Sequence, residues 1–194
     1  MTDYDNMELK YNCSLPRSES AKLSLFTEFL KLKALYRQGW IKAGIDRKKC
    51  ESVAEHSFMV ALISMIFSDE KGLDTQKVIK MALLHEAGEI SAGDITPGDE
   101  IPYDEKQNKE RESVKKLFSK LENKNYYISL WEELEKKESR EAQLVKQVDS
   151  LELAMQAKIY EKIESKELSE FFHSAENNIH DPVLADIFEK IKKI

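Results

Sequence analysis

A single-domain, all-α fold is predicted by three features of this 194-residue sequence. Glycine and proline are scarce, with 6 and 4 copies respectively, and β-branched alternation is rare. Long segments instead carry apolar residues three and four positions apart, which is the helical period. The length suits one domain with room for a sizeable core. We therefore expect one helical bundle.

The periodic segments predict helices at residues 20–43, 53–69, 74–91, 104–123, 126–137, 140–165 and 182–193. Ser52-Val53-Ala54-Glu55 forms a capping-box pattern, which indicates the start of the second helix. Asp181-Pro182 combines an N-cap residue with proline at the first helical position, which indicates the start of the last. The segment "SAGDITPGDEIPYDE" holds two Gly and two Pro and predicts an extended loop. We assign residues 1–19 to an N-terminal tail and residues 20–194 to the domain.

Charge and cysteine content restrict the function classes. The formal net charge of −6 argues against a protein that coats DNA or RNA, because phosphate contacts need surplus Lys and Arg, whereas a small anionic substrate is compatible. Cys13 and Cys50 are too few for a disulfide framework and fit a reducing compartment. The polar start "MTDYDNMELKYNC" is no secretory signal, and the uncharged run "SFMVALISMIF" is shorter than the ~20 apolar residues that cross a bilayer. We expect a soluble, cytoplasmic protein with no membrane and no nucleic acid polymer as partner.

Two histidines and two carboxylates stand where apolar neighbours are expected. His56 begins "HSFMVALISMIF", His85 and Glu86 interrupt "VIKMALLHEAGEI", and Asp149 lies within "AQLVKQVDSLELAMQA". A buried, unpaired carboxylate costs several kcal/mol, so these groups must be paired, hydrated or bound to a cation. Such a mixed set from three helices suits one divalent Mn, Fe, Co, Ni or Zn ion better than Ca. Each residue alone also fits a surface, hydrogen-bonded or salt-bridged position, and spacing does not decide between these alternatives.

Three sequence blocks, in this order, resemble the HD-domain metal-dependent phosphohydrolases, and more closely their 5'-deoxynucleotidase branch. The blocks are "ESVAEHSFMVAL", "ALLHEAGEISAGDITP" and "LVKQVDSLELAMQAKIYE", and "RQGWIKAGI" precedes the first as it does in that branch. The resemblance covers about residues 20 to 190. It implies an HD-type helical bundle, a bound divalent metal and a homodimer.

The resemblance also assigns the metal ligands. The four positions of the first metal are His56, His85, Glu86 and Asp149. Glu89 and Asp94 match two acidic positions that support the attacking water or hold a second, weaker cation such as Mg or Mn, with the backbone carbonyl of Ile95 as a further ligand. Glu89 and Asp94 are therefore the expected catalytic residues.

The second residue of the doublet departs from the family pattern, because Glu86 stands where the family has Asp. Glutamate keeps the charge and both oxygens but adds a methylene. Its carboxylate reaches the metal if the side chain folds back. Alternatively it pulls the metal off position, and catalysis is sensitive to shifts of ~1 Å.

Three residues are candidates for contact with the substrate. Arg37 is suited to forked hydrogen bonds with phosphate oxygens, or it caps a helix end. Trp40 packs beside the sugar or base, or it belongs to the core. Lys106 reaches the phosphate, or it pairs with Glu110 at i+4.

The expected activity is hydrolysis of nucleoside 5'-monophosphates, preferably 2'-deoxyribonucleotides, to nucleoside and phosphate. No phosphate loop of the GxxxxGK type is present in the sequence. Two alternatives stay open. One is an HD phosphodiesterase or triphosphohydrolase that acts on another nucleotide. The other is a non-catalytic nucleotide-binding or dimer-forming module, in which Glu86 marks lost activity.

Overall fold

The computed structural model describes residues 20–96, 99 and 101–194, and within these residues it contains helices and no β-strand. The predicted all-α fold is confirmed, while the predicted tail at residues 1–19 lies outside the described residues. The helices in chain order are α1 (Ala21–Phe29), α2 (Gln38–Lys42), α3 (Val53–Glu70), α4 (Thr75–Leu84), α5 (Glu89–Ala92), α6 (Tyr103–Phe118), α7 (Lys124–Glu135), α8 (Arg140–Glu164), α9 (Ser169–Glu176) and α10 (Pro182–Lys193), with a 3₁₀ helix at Leu30–Lys33 after α1.

The single helix predicted at residues 20–43 is wrong, because extended chain separates the 3₁₀ helix from α2. The Arg37 N–H donates to the carbonyl of Glu51 at 3.2 Å, and the Val53 N–H donates to the carbonyl of Leu35 at 2.8 Å. These bonds to the segment before α3 replace the helical i to i−4 pattern. They hold Arg37 close to the start of α3.

The helix predicted at residues 74–91 is also interrupted, since α4 ends at Leu84 and α5 begins at Glu89. A tight turn joins them, in which the Ala87 N–H donates to the carbonyl of Leu84 at 2.9 Å. Gly88 lets α6 approach closely, because a Cβ at this position would lie 2.7 Å from Cβ of Glu110. The turn, rather than a continuous helix, therefore presents the residues that follow α4.

Both predicted helix starts are confirmed by their capping bonds. The Ser52 side chain accepts from the Glu55 N–H at 3.2 Å, and the Glu55 carboxylate accepts from the Ser52 N–H at 2.7 Å. Asp181 accepts from the N–H groups of Val183 and Leu184, as expected for an N-cap. The helix α9 was not predicted.

The core surrounds α3, which packs against both α4 and α8. Val60, Met81 and Val148, one from each of these helices, have no exposed surface. Full burial of such a side chain contributes roughly 1.5–3 kcal/mol. A second apolar cluster lies around Trp40 and Tyr160. Among the described residues, no helix combines the length and apolar content that a membrane span requires.

Candidate metal centre

Two imidazoles and two carboxylates converge in the core, supplied by α3, the turn after α4, and α8. His56 Nε2 lies 3.2 Å from His85 Nε2 and 3.1 Å from Asp149 Oδ1. Glu86 Oε1 lies 3.7 Å from His56 Nε2 and 3.4 Å from His85 Nε2. The structure thus brings together the four residues predicted to hold the first metal.

The donor atoms of His56, His85 and Glu86 all lie within 4.8 Å of one another, a spacing that fits one divalent metal ion, and Asp149 adjoins this group through His56 Nε2. Ligands at ~2.0–2.2 Å from a first-row metal lie roughly 3.0–3.5 Å from their neighbours in the same coordination shell. The side chains of His56 and His85 are buried, whereas Asp149 is 26% exposed, so the cluster is open to a ligand on one side. The donor types favour Mn, Fe, Co, Ni or Zn.

The ring nitrogens that face away from the cluster are also bonded. His85 Nδ1 lies 2.6 Å from the carbonyl oxygen of Ala82. Because a carbonyl can only accept, His85 Nδ1 carries the proton and Nε2 presents its lone pair to the cluster. His56 Nδ1 lies 2.6 Å from Oε2 of Glu152, which is buried.

Burial and neighbouring charge shift the pKa values of the cluster. Burial lowers the pKa of His85. Burial also opposes the charged form of His56, but hydrogen bonds to Asp149 and Glu152 raise its pKa to about 9. Burial alone would raise the pKa of Asp149, yet the hydrogen bond from His56 and the charge of both imidazoles hold it well below its usual range. The Asp149 carboxylate is therefore ionised and suited to a cation.

The extra methylene of Glu86 does not prevent its carboxylate from reaching the cluster. Oε1 accepts a hydrogen bond from Arg37 Nη1 at 2.8 Å while facing both imidazoles. Against the effect of burial, the charges of His85 and Arg37 lower the pKa of Glu86 to about 2. Arg37 is the N-cap residue of α2 but makes no side-chain capping bond, and its guanidinium instead contacts Glu86.

Glu89 and Asp94 lie beside the four donors. Glu89 is buried, and among the residues that the structure describes its Oε2 has no hydrogen-bond partner. Burial, then the charges of Glu86 and Asp94, raise the pKa of Glu89 well above its ordinary value. Gly93, with a φ of 81°, turns the chain after α5, and Asp94 Oδ2 accepts a hydrogen bond from the Gln38 N–H. An orphaned carboxylate oxygen of this kind suits a water or a ligand atom.

Lys106 lies next to the Ile95 carbonyl, which was predicted to bind the second cation. Its Nζ donates to the carbonyl oxygen of Ile95 at 2.8 Å and lies 3.5 Å from Glu110 Oε1. The predicted i+4 pair is therefore present. The Ile95 carbonyl faces an ammonium group, which opposes the expectation that it binds a cation.

Trp40 takes the packing alternative of its two predicted roles. It is 1% exposed, stacks on Phe171 at 4.2 Å between ring centroids, and meets the edge of Tyr160 at 5.2 Å. Its indole N–H donates to Glu51 at 2.7 Å. With its faces covered and its polar atom bonded, Trp40 has no surface for a sugar or base, which corrects that expectation.

Two charged residues near the cluster were not assigned from the sequence. Lys146 and Glu152 lie three residues before and after Asp149 on α8, so helical spacing directs them to nearly the same side. Lys146 Nζ lies 2.7 Å from Glu135 Oε1. Although burial lowers the pKa of Lys146, the charges of Glu135 and Asp149 raise it overall. The spacing in "LVKQVDSLELAM" held the signal for both residues.

A cleft of about 960 Å³ adjoins the cluster through Asp94. It runs between the segment after α5 and α6, and its lining includes Ser91, Asn108, Lys109 and Lys116. The four donor residues do not line it. The cleft therefore lies next to the buried cluster, with Asp94 at the boundary between them.

An all-α bundle that gathers imidazoles and carboxylates around one buried point defines a helical metal-binding protein. The HD domain family matches residues 29–192, and the chain belongs to this family, as its sequence motifs predicted. It is 34% identical to human 5'-deoxynucleotidase HDDC2 over 165 aligned residues, and the alignment covers 83% of this chain and 79% of the human protein. It is 35% identical over 183 residues to 5'-deoxynucleotidase HDDC2 of Dictyostelium discoideum, with 85% and 95% covered. A crystal structure of a Pyrococcus horikoshii protein superposes with a TM-score of 0.75 at 30% identity, covering 88% of this chain and 98% of that one.

Proposed function

We propose that this protein is a metal-dependent phosphohydrolase that converts 2'-deoxyribonucleoside 5'-monophosphates to deoxynucleoside and phosphate. The observation that carries the proposal is the convergence of His56, His85, Glu86 and Asp149 beside Glu89, whose buried carboxylate has an unpartnered oxygen. The names of the relatives, 5'-deoxynucleotidases, support the substrate class.

In this proposal the four converging residues hold one divalent Mn, Co, Fe, Ni or Zn ion. Such an ion, when bound, acts as a Lewis acid that lowers the pKa of water and polarises a phosphoryl oxygen. A second, weaker Mg or Mn ion at the Ile95 carbonyl would have to displace the ammonium of Lys106. We therefore propose a single metal per chain.

The residues of the chain divide the remaining chemistry. Arg37, held at the cluster by Glu86, donates to the phosphate oxygens and orients phosphorus. Glu89, whose buried carboxylate has an unpartnered oxygen, accepts the proton of the attacking water. Asp94, fixed by the Gln38 N–H, lies next to Glu89 and orients the same water. The new P–O bond forms to the water oxygen as the bond between phosphorus and the nucleoside 5'-oxygen breaks, and that oxygen leaves as a hydroxyl after taking up a proton from solvent.

The adjoining cleft is the proposed place for the nucleoside. If the phosphate of a nucleotide lies at the cluster, its nucleoside would extend past Asp94 into this cleft, where Ser91 and Asn108 offer hydrogen-bonding groups. The net charge of −6 disfavours a polymeric substrate and fits a small nucleotide. Lys109 and Lys116 line the cleft together with Asp99 and Glu112, so charged groups of both signs face this volume.

We also propose a homodimer that buries an apolar face of α3. Phe58, Leu62 and Ile66 repeat every four residues and are 57%, 38% and 55% exposed, with Met59 beside them at 39%. An exposed apolar stripe of this kind marks an interface. Light scattering after gel filtration should give twice the chain mass of 22.5 kDa, and Phe58→Glu with Ile66→Glu should give the monomer. We also propose a cytoplasmic location, because the two cysteines of the sequence, Cys13 and Cys50, are too few for a disulfide framework and fit a reducing compartment.

A phosphate-release screen tests the activity. Purified protein freed of metal is supplied with Mn²⁺ or Co²⁺ and offered deoxy- and ribonucleoside 5'-monophosphates, 3'-monophosphates, triphosphates and cyclic nucleotides. We expect turnover of the deoxy 5'-monophosphates. His85→Ala should lose bound metal and turnover together, whereas His173→Ala, at an exposed position, should keep both.

The other outcomes separate the alternatives. Equal rates on ribonucleotides would remove the sugar preference and keep the phosphatase. Activity restricted to triphosphates or cyclic nucleotides would favour the triphosphohydrolase or phosphodiesterase. Bound metal without turnover of any nucleotide would favour the non-catalytic module.

A further inference from the structure

A buried carboxylate lies behind His56, on the edge of the ring that faces away from the donor cluster. His56 Nδ1 is 2.6 Å from Glu152 Oε2, while Nε2 of the same ring faces Asp149 at 3.1 Å. The side chains of His56 and Glu152 are 0% and 6% exposed. Water therefore does not compete for this contact, which joins α3 to α8.

We propose that Glu152 is a positioning residue that fixes the ring orientation and tautomer of His56 and thereby sets the metal affinity of the centre. The inference rests on the proposed function, since it takes His56 as a metal ligand. A carboxylate that accepts the Nδ1 proton directs the Nε2 lone pair into the cluster. It also makes the imidazole a stronger donor, and loss of such a partner typically costs 10–100-fold in metal affinity.

The two imidazoles of the cluster are supported in different ways. His85 uses the neutral carbonyl of Ala82, three residues earlier in its own segment, so local backbone geometry sets its tautomer. His56 depends on a full negative charge from another helix. Because Glu152 follows Asp149 by three residues, α8 supplies one donor of the cluster and the support of a second donor.

A purely stabilising role explains this pair less well. Removing one partner of a buried ion pair destabilises a protein, but the pair itself adds little over an apolar replacement. The neighbouring carboxylate of Glu51 is used differently, since its Oε1 accepts the indole N–H of Trp40 at 2.7 Å. A carboxylate oxygen of Glu51, a carboxylate oxygen of Glu152 and a ring nitrogen of His56 all lie within 4.8 Å of one another. The competing explanation is therefore that these three residues bind a second cation on this side of the ring.

Calorimetric titration of Mn²⁺ into the metal-free full chain separates these explanations. We expect one ion per chain in the wild type. Glu152→Ala should bind it 10–100-fold more weakly. Glu152→Gln keeps the volume and an acceptor oxygen but not the charge, so its Mn²⁺ affinity should lie between those of the wild type and Glu152→Ala. Glu161→Gln, a matched change on the same helix, should bind like the wild type.

A second readout follows the imidazole itself. In long-range ¹H–¹⁵N spectra of the Zn²⁺-loaded, ¹⁵N-histidine-labelled protein, His56 should show a slowly exchanging Nδ1–H in the wild type and Glu152→Gln. That signal should be lost in Glu152→Ala, while the His85 Nδ1–H stays. Thermal melts of the metal-free variants report any folding defect separately.

The outcomes are distinct. Wild-type affinity in Glu152→Ala, or an equal loss in Glu161→Gln, would overturn the positioning role while the proposed metal centre stands. Two ions in the wild type and one in Glu152→Ala would overturn it by making Glu152 a ligand. A wild type that binds no Mn²⁺, Co²⁺ or Zn²⁺ would overturn the proposed function and the inference with it.

Discussion

The substitution Glu86→Asp tests whether the longer carboxylate is matched to this site. Glu86 Oε1 lies 2.8 Å from Arg37 Nη1 and 3.4 Å from His85 Nε2. Removing one methylene withdraws the carboxylate by about 1.5 Å, the length of a C–C bond. The oxygen would then lie beyond hydrogen-bond reach of Arg37 and farther from the point that the imidazoles face.

The size of the effect follows from the contact that is lost. A hydrogen bond to a charged group contributes roughly 1.5–3 kcal/mol, which corresponds to about 10- to 150-fold in an equilibrium constant. We expect Mn²⁺ to bind Glu86→Asp more weakly by this factor, and turnover to fall with it. The comparison is a calorimetric titration of the wild type, Glu86→Asp and the exposed control Glu138→Asp.

The opposite result would refute this reasoning. Tighter metal binding or faster turnover in Glu86→Asp would mean that the extra methylene strains the centre, and that the aspartate of the family pattern fits better. Unchanged binding and turnover would mean that residue 86 is not a ligand. Neither result can be produced by a general loss of stability, which the control and a thermal melt would reveal.

Three further changes test the surroundings of the cluster. Glu89→Gln should lower turnover by about 10²–10⁴-fold, the usual contribution of a general base, with Mn²⁺ affinity nearly unchanged; loss of the metal would contradict the separation of roles. Gly88→Ala should destabilise the fold by roughly 1–3 kcal/mol in urea, because its Cβ would lie 2.7 Å from Glu110 Cβ, and an unchanged midpoint would show that α6 moves freely. Burial raises the pKa of Glu110 from 4.5 to about 7, so the folded state is penalised when this group ionises. Glu110→Gln should therefore stabilise the protein above the folded pKa by up to roughly 3 kcal/mol, and this advantage should vanish as pH falls through the folded pKa to the unfolded one; a pH-independent difference in melting temperature would exclude this cause.

Much of the bundle was predictable because helices form from local signals. The capping box at Ser52 and the start at Asp181-Pro182 depend on residues three or fewer positions apart, and both are present as predicted. The four residues predicted as donors, among them Asp149, were recognisable because charged groups interrupted apolar helical periods and because the motif blocks resemble a known family.

The errors share one physical reason, which is contact between distant segments. The helical pattern ran through residues 34–37 and 85–88, yet a backbone bond from Arg37 to Glu51 and the close approach of α6 at Gly88 interrupt it. Neither contact leaves a trace in local periodicity, because each joins residues that are far apart in the chain or depends on the packing of another helix.

By itself, the sequence determined the fold class, the helix starts and the identity of the residues that converge. Only the tertiary structure decided their geometry: that Glu86 reaches both Arg37 and the imidazoles, and that Trp40 belongs to the core. It also decided that Glu152 contacts His56 Nδ1, on the edge of the ring that faces away from the cluster. The helical face on which a residue lies follows from local spacing in the sequence. Its hydrogen-bond partners on other helices depend on how whole helices pack, because that packing results from many weak contacts along the entire chain.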